Sequence, residues 1–146
     1  MMADASRKAV AVGDLVPELM LPPVSRLMLA LFAGASGDHN PIHVDLDFAR
    51  KAGMPDVFAH GMLGMAWLGR LVTQWVPQRQ VRSLNVRFQA ITQVGHVMTC
   101  RGKVVEVFEA DGERRARVAL EAVNQYGQVA TAGEAVVALD CPQHPE

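Results

Sequence analysis

Residues 36 to 43 read Ser-Gly-Asp-His-Asn-Pro-Ile-His, which sets Asp38 and His43 five positions apart around an Asn-Pro pair. Proline fixes its own φ near about −65° and pushes the residue before it out of the helical region, so Asn40-Pro41 stiffens the loop between two proton-carrying side chains. A carboxylate beside an imidazole can hold and activate a water. The carboxylate also favours the charged imidazolium, so such a pair can share proton states near neutral pH. Asn40 suits side-chain bonds to nearby backbone, which would hold the loop.

Other chemistries fit less well. Asp38, His39, His43, Asp45 and His60 are all potential metal ligands, but Pro41 argues against a helix presenting His39 and His43 together, and no glutamate follows His39. The expectation is no metal. No Gly-x-Ser-x-Gly elbow, Walker loop or dinucleotide fingerprint is present, which argues against nucleophilic hydrolysis and nucleotide chemistry. Arg50, Lys51, Arg79, Arg82 and Arg87 could meet phosphates, yet scattered basic residues usually solvate a surface. A net charge of −1 leaves no basic field to steer a nucleic acid.

The elements that must position the pair follow from spacing. At 146 residues the chain is read as one domain, 1–146, with an ordered core over about 13–139 and a loose tail before it. Leu15 to Leu21 suggests a short strand ahead of Pro22-Pro23. Ser25 can cap a helix carrying Leu27, Leu31 and Ala35, with Met28 and Phe32 beside them, that ends at Ser36-Gly37. Asp45 can cap a second, short helix that Gly53 closes in a left-handed turn.

From His60 to Trp75 runs a segment with Arg70 as its single charge, apolar nearly all round, which predicts a core helix. Gly61, Gly64 and Gly69 lower its propensity, so close approach by a sheet or a ligand is the expected compensation. Beyond residue 81 the period changes to two. Leu84, Val86, Phe88 and Ala90, then Ala116, Val118, Leu120 and Ala122, alternate with polar residues, and 97–108 and 129–139 also read as strands. Turn signals at Gln93-Val94-Gly95, Asp111-Gly112 and Tyr126-Gly127 predict an antiparallel meander. The expected class is α+β, a single hotdog fold in which an antiparallel sheet of about five strands wraps a long central helix. Exposed sheet edges would favour side-by-side dimerisation.

No apolar run approaches the roughly 20 residues of a membrane span, and no secretory leader is read at the N-terminus. Cys100 and Cys141 share no metal or redox spacing, which fits a reducing cytoplasm.

The run from Ala33 to Asp45, followed by Phe48-Ala49 and by Ala59-His60-Gly61-Met62-Leu63, resembles the MaoC-like hydratase/dehydratase family, over roughly residues 13–139. That family includes (R)-specific enoyl-CoA hydratases and 3-hydroxyacyl-carrier-protein dehydratases. The resemblance implies that Asp38 and His43 hold one catalytic water, and that the substrate is a coenzyme A or acyl-carrier-protein thioester needing no metal or redox cofactor. The enolate of that reaction requires a donor for its oxygen. Gly61, at the start of the apolar helix, offers an unpaired N–H and no side chain, and the family's His-Gly pair implies the same donor. Asn40, His60, Met62 and Met65 complete the expected substrate-contacting set, with the methionines also read as core. A serine that some members carry two turns into this helix is matched here by Gly69, so no hydroxyl helper is expected from it. A hotdog acyl-thioester hydrolase remains an alternative, as does the catalytic subunit of a heterodimeric dehydratase.

Overall fold

The computed structural model describes residues 9–139; residues 1–8 and the C-terminal segment that includes Cys141 lie outside it. Five strands, β1 (Leu15–Met20), β2 (Val81–Phe88), β3 (Thr99–Ala110), β4 (Glu113–Val123) and β5 (Val129–Ala138), form one antiparallel sheet in the order β1-β3-β4-β5-β2. Three helices, α1 (Arg26–Ser36), α2 (Leu46–Lys51) and α3 (Gly61–Trp75), precede the last four strands. The hotdog architecture expected from the sequence is therefore present, with α3 packed along the sheet.

The predicted meander needs correction. β3, β4 and β5 do follow one another, and the β3–β4 turn is the two-residue Asp111-Gly112, with φ of 50° and 74°, the left-handed pair that matches strand twist. β2, however, pairs with β5 rather than β3. Its chain then crosses from one sheet edge back toward β3, and this crossover bonds to the segment leading into α3 through the Phe58–Gln93 bridge and Ala59 N–H on the Thr92 carbonyl. The topology thus brings the residues after β2 against the residues before α3.

Two helix faces also differ from expectation. In α1 the buried residues are Leu29 and Ala33, whereas Leu27, Leu31 and Ala35 face outward. A helix this apolar does not disclose which stripe faces the core, because several stripes satisfy the same spacing. α3 buries Leu63, Gly64, Trp67, Leu68, Leu71 and Val72, but Met62, Ala66, Arg70 and Thr73 are exposed. A single sheet covers only one side of a helix, so α3 is half covered rather than enclosed. The alternation of β4 is kept, with Ala116, Val118, Leu120 and Ala122 all buried. Residues 9–12 are tied down rather than loose: Val10 packs partly on the core, and its carbonyl accepts from Arg114.

At the far end of the sheet Glu113 accepts from Arg82 through Nε at 2.7 Å and Nη2 at 3.0 Å, and from Arg115 Nε at 2.7 Å. Hydrogen bonds from these two guanidinium groups draw its carboxyl from the ordinary 4.5 down to about 2. A carboxyl depressed by folding contributes stability that is complete above its unfolded value and is lost as pH falls through its folded value. Glu113→Gln is therefore expected to be less stable than the parent at neutral pH, with the difference closing as pH falls from 4.5 to about 2. Urea denaturation at a series of pH values measures it.

Candidate active site

The predicted loop is built by short-range polar bonds. Ser25 Oγ caps α1 by accepting Met28 N–H, and Gly37, with φ of 77°, ends that helix in the left-handed conformation that favours glycine. Asp38 Oδ1 then accepts Asn40 N–H at 3.2 Å, and Asn40 Oδ1 accepts Ile42 N–H at 3.1 Å. Pro41 opens a single 3-10 turn, Pro41–His43, that lifts His43 into the interior. Asp45 caps α2 by accepting Phe48 N–H, and Gly53 follows with φ of 87°. The caps at Ser25 and Asp45 and the helix ends at Gly37 and Gly53 agree with the spacing argument, and Asn40 is a loop-holding residue whose carboxamide oxygen is already engaged.

Asp38 and His43 come together as expected. Oδ2 of Asp38 lies 4.0 Å from Nε2 of His43, with the carboxylate half exposed and the imidazole buried. That separation is too long for a direct hydrogen bond. A water about 2.8 Å from each atom would bridge it, making an angle of roughly 90° between the two. The tautomer of His43 follows from its other nitrogen. Nδ1 lies 2.7 Å from the carbonyl oxygen of Phe58, which can only accept, so Nδ1 carries a proton and, in the neutral ring, Nε2 is the nitrogen that presents a lone pair toward Asp38.

His60 joins the pair from the other side of the fold. As the residue preceding α3 it is buried, and its ring stacks on His43 with centroids 3.9 Å apart and 26° between planes. Nε2–H of His60 donates to the backbone carbonyl of Asp38 at 3.2 Å, and the Phe32 ring of α1 packs edge-on against it. Burial, with His43 alongside, holds the His60 pKa below the ordinary 6.5. Asp38, His43 and His60 each offer a ligand atom within 4.8 Å of the others. One nitrogen of each ring is committed to a carbonyl, which leaves each imidazole a single nitrogen for any other partner. His39 is exposed and stands outside this cluster, and Asp45 is spent on its cap.

Gly61 opens α3, where helix geometry leaves its N–H without an intrahelical acceptor. It lines a cleft of about 290 Å³ with Phe58, His60, Gly64, Phe88, Ile91 and Thr131 among its walls. The glycines of α3 explain themselves here. A Cβ on Gly61 would come within 3.1 Å of the Phe88 ring, and one on Gly64 within 2.6 Å of Thr131 Oγ1. At Gly69 the nearest atom, on Leu84, is at an ordinary 3.5 Å, so that position makes no such demand. Neither Met62 nor Met65 is among the cleft's lining residues, and Met62 is 53 % exposed.

Sequence reasoning missed the Phe58 carbonyl, since a backbone acceptor carries no side-chain signal, and missed Thr131 and Phe88 as cleft walls. Phe88 was visible as the apolar end of an alternating strand, but only the β2–β5 pairing shows what it faces.

The site is thus a carboxylate and an imidazole 4.0 Å apart, on a hotdog domain, beside the N-terminus of a helix. The family model described as MaoC like domain matches residues 17–125, and the chain belongs to that family. It is 33% identical over 105 residues to the 3-hydroxyacyl-thioester dehydratase Z of Mycobacterium tuberculosis, across 68% of this chain and 70% of that protein. It is 31% identical over 91 residues to the mitochondrial 3-hydroxyacyl-(acyl-carrier-protein) dehydratase of Arabidopsis thaliana, across 62% of this chain and 54% of the plant protein. It spans only 12% of the mouse peroxisomal multifunctional enzyme type 2, which it also matches. Among solved structures, the (R)-hydratase from A. caviae involved in PHA biosynthesis superimposes with a TM-score of 0.79 at 27% identity, over 91% of this chain and 99% of that one. The resemblance read from residues 33–63 is thereby shown, and the relatives named include hydratases and dehydratases. No helix among the described residues is long and apolar enough to cross a membrane.

Proposed function

We propose that this chain reversibly adds water to a trans-2-enoyl thioester of coenzyme A or acyl-carrier protein, giving the (R)-3-hydroxyacyl thioester without a metal or redox cofactor. The observation that carries the proposal is the 4.0 Å gap between Asp38 Oδ2 and His43 Nε2, with the His43 proton committed to Phe58 on the opposite nitrogen. Asp38 orients the water and Nε2 removes one of its protons. The hydroxide adds to the β-carbon, the double-bond electrons move toward the thioester oxygen, and Gly61 N–H stabilises the resulting enolate. One such donor contributes about 10²- to 10³-fold in rate. The imidazolium then returns its proton to the α-carbon, so the net change is one water added; dehydration is the reverse.

β1 and β2 form the sheet edges, and Leu27, Leu31, Phe88 and Ile91 are exposed apolar side chains, which supports a homodimer or a heterodimer with a related hotdog subunit. The Cys100 thiol is buried, and burial pushes its pKa up to about 12, which suits an inert thiol in a cytoplasmic protein.

Loss of conjugated-thioester absorbance, followed over a series of enoyl-CoA chain lengths, tests the reaction. Hydration of at least one length is the expected result. Release of free thiol without hydration would instead assign a thioesterase.

A further inference from the structure

Three imidazole nitrogens in the site are accounted for: His43 Nδ1 on Phe58, His43 Nε2 facing Asp38, and His60 Nε2 on the Asp38 carbonyl. The fourth, His60 Nδ1, is buried among the described residues with no hydrogen-bond partner. Because the Asp38 carbonyl can only accept, Nε2 of His60 must carry the proton, and Nδ1 is then an unprotonated nitrogen shut away from water. A buried unsatisfied acceptor is a standing cost, which asks for a compensating use.

The geometry points to one. We infer that His60 is a positioning residue rather than a substrate contact: a neutral imidazole in the Nε2–H form that pins the Asp38 backbone and gives His43 a flat surface to stack on. The two stacked rings thus hold opposite tautomers, each fixed by a backbone carbonyl, and only His43 keeps a lone pair on the reacting water.

Several observations support this division. The Asp38–Asn40–Ile42 bonds hold the loop internally and Ser36 Oγ, at the end of α1, accepts Asp38 N–H, while His60 holds the Asp38 carbonyl from a residue 22 positions away. Its ring is fixed on both sides, by the His43 face and the Phe32 edge. The residue facing it with ionisable character is His43, with Asp38 the nearest carboxylate, and burial disfavours a second imidazolium against the first. Charge taken from the water is thereby confined to His43.

The inference rests on the hydro-lyase reading, and the test separates the two. His60→Phe keeps a flat ring for His43 but removes the Nε2–H; His60→Gln restores an N–H of similar reach. The expected result is a fall in kcat of about 10²-fold for His60→Phe with KM little changed, as for a displaced catalytic group, and recovery of most of it in His60→Gln. Side-chain nitrogen NMR of the parent protein should show His60 as neutral Nε2–H and His43 as Nδ1–H. The backbone amides of Asp38 to Asn40 should shift in the Phe variant and return in the Gln variant. Wild-type kcat in His60→Phe, a loss confined to KM, or His60 found as Nδ1–H or charged at neutral pH would overturn the inference. Should the parent protein fail to hydrate any enoyl thioester, the functional proposal falls, while the tautomer and amide readouts still decide the role of His60.

Discussion

Asp38→Asn and His43→Asn are each expected to lower kcat for hydration by about 10²- to 10⁴-fold, the usual contribution of positioned acid–base groups. The substitutions are chosen so that structure survives. In Asp38→Asn the carboxamide oxygen can still accept Asn40 N–H, and the side chain is about half exposed, so the loop keeps its internal bond while losing the charge that orients water. In His43→Asn the amide nitrogen stands roughly where Nδ1 stood and can donate to Phe58, but nothing replaces Nε2. His43→Ala would be a poorer probe. It would leave the Phe58 carbonyl without its donor and open a gap beneath the stacked His60 ring, mixing lost chemistry with lost stability. Steady-state kinetics on a short enoyl-CoA, with thermal melts of each variant, measure the two effects separately. Near-parent turnover in a folded Asp38→Asn or His43→Asn protein would remove the pair from the mechanism.

The parts of this site that could be read from the sequence are those encoded locally. Asp38, Asn40, Pro41 and His43 lie within one turn-forming stretch, and the bonds that shape it connect residues two or three apart. Caps at Ser25 and Asp45 and the left-handed turns at Gly37 and Gly53 are local in the same sense. What could not be read is whatever depends on long-range pairing. The stack of His60 on His43 joins residues 17 apart in sequence. The cleft wall at Thr131 depends on β5 lying against α3, and the exchange of β3 for β5 as the partner of β2 is invisible to a period-two pattern that either pairing satisfies. The exposed stripes of α1 and α3 belong to the same class: an apolar helix reports that it is buried somewhere, not by what.

Gly133 carries the largest expected effect on stability, and it is a position whose importance only strand pairing shows. It lies in β5 opposite Val86 of β2, and a Cβ there would fall on the Asn85 carbonyl oxygen, within 2.7 Å of Val86 Cα and 2.8 Å of the Asn85 carbonyl carbon. All three are backbone atoms that no rotamer change can move, so β2 would have to part from β5. Gly133→Ala is expected to cost about 3 kcal/mol, the upper end of ordinary overpacking, read as a lower midpoint in urea. Gly102→Ala is the control. Its Cβ would meet Leu120, Val118 and Val16 at 3.0 to 3.2 Å, but these are side-chain ends that can rotate, so its loss should be smaller. The same parting of strands reaches the site. β2 ends at Phe88, whose ring covers Gly61, so a displaced β2 withdraws one wall from the cleft beside the enolate donor. Gly133→Ala protein that remains folded at low temperature should therefore show a raised KM for the acyl substrate while the Asp38–His43 pair, held by α1, the 3-10 turn and His60, keeps its geometry.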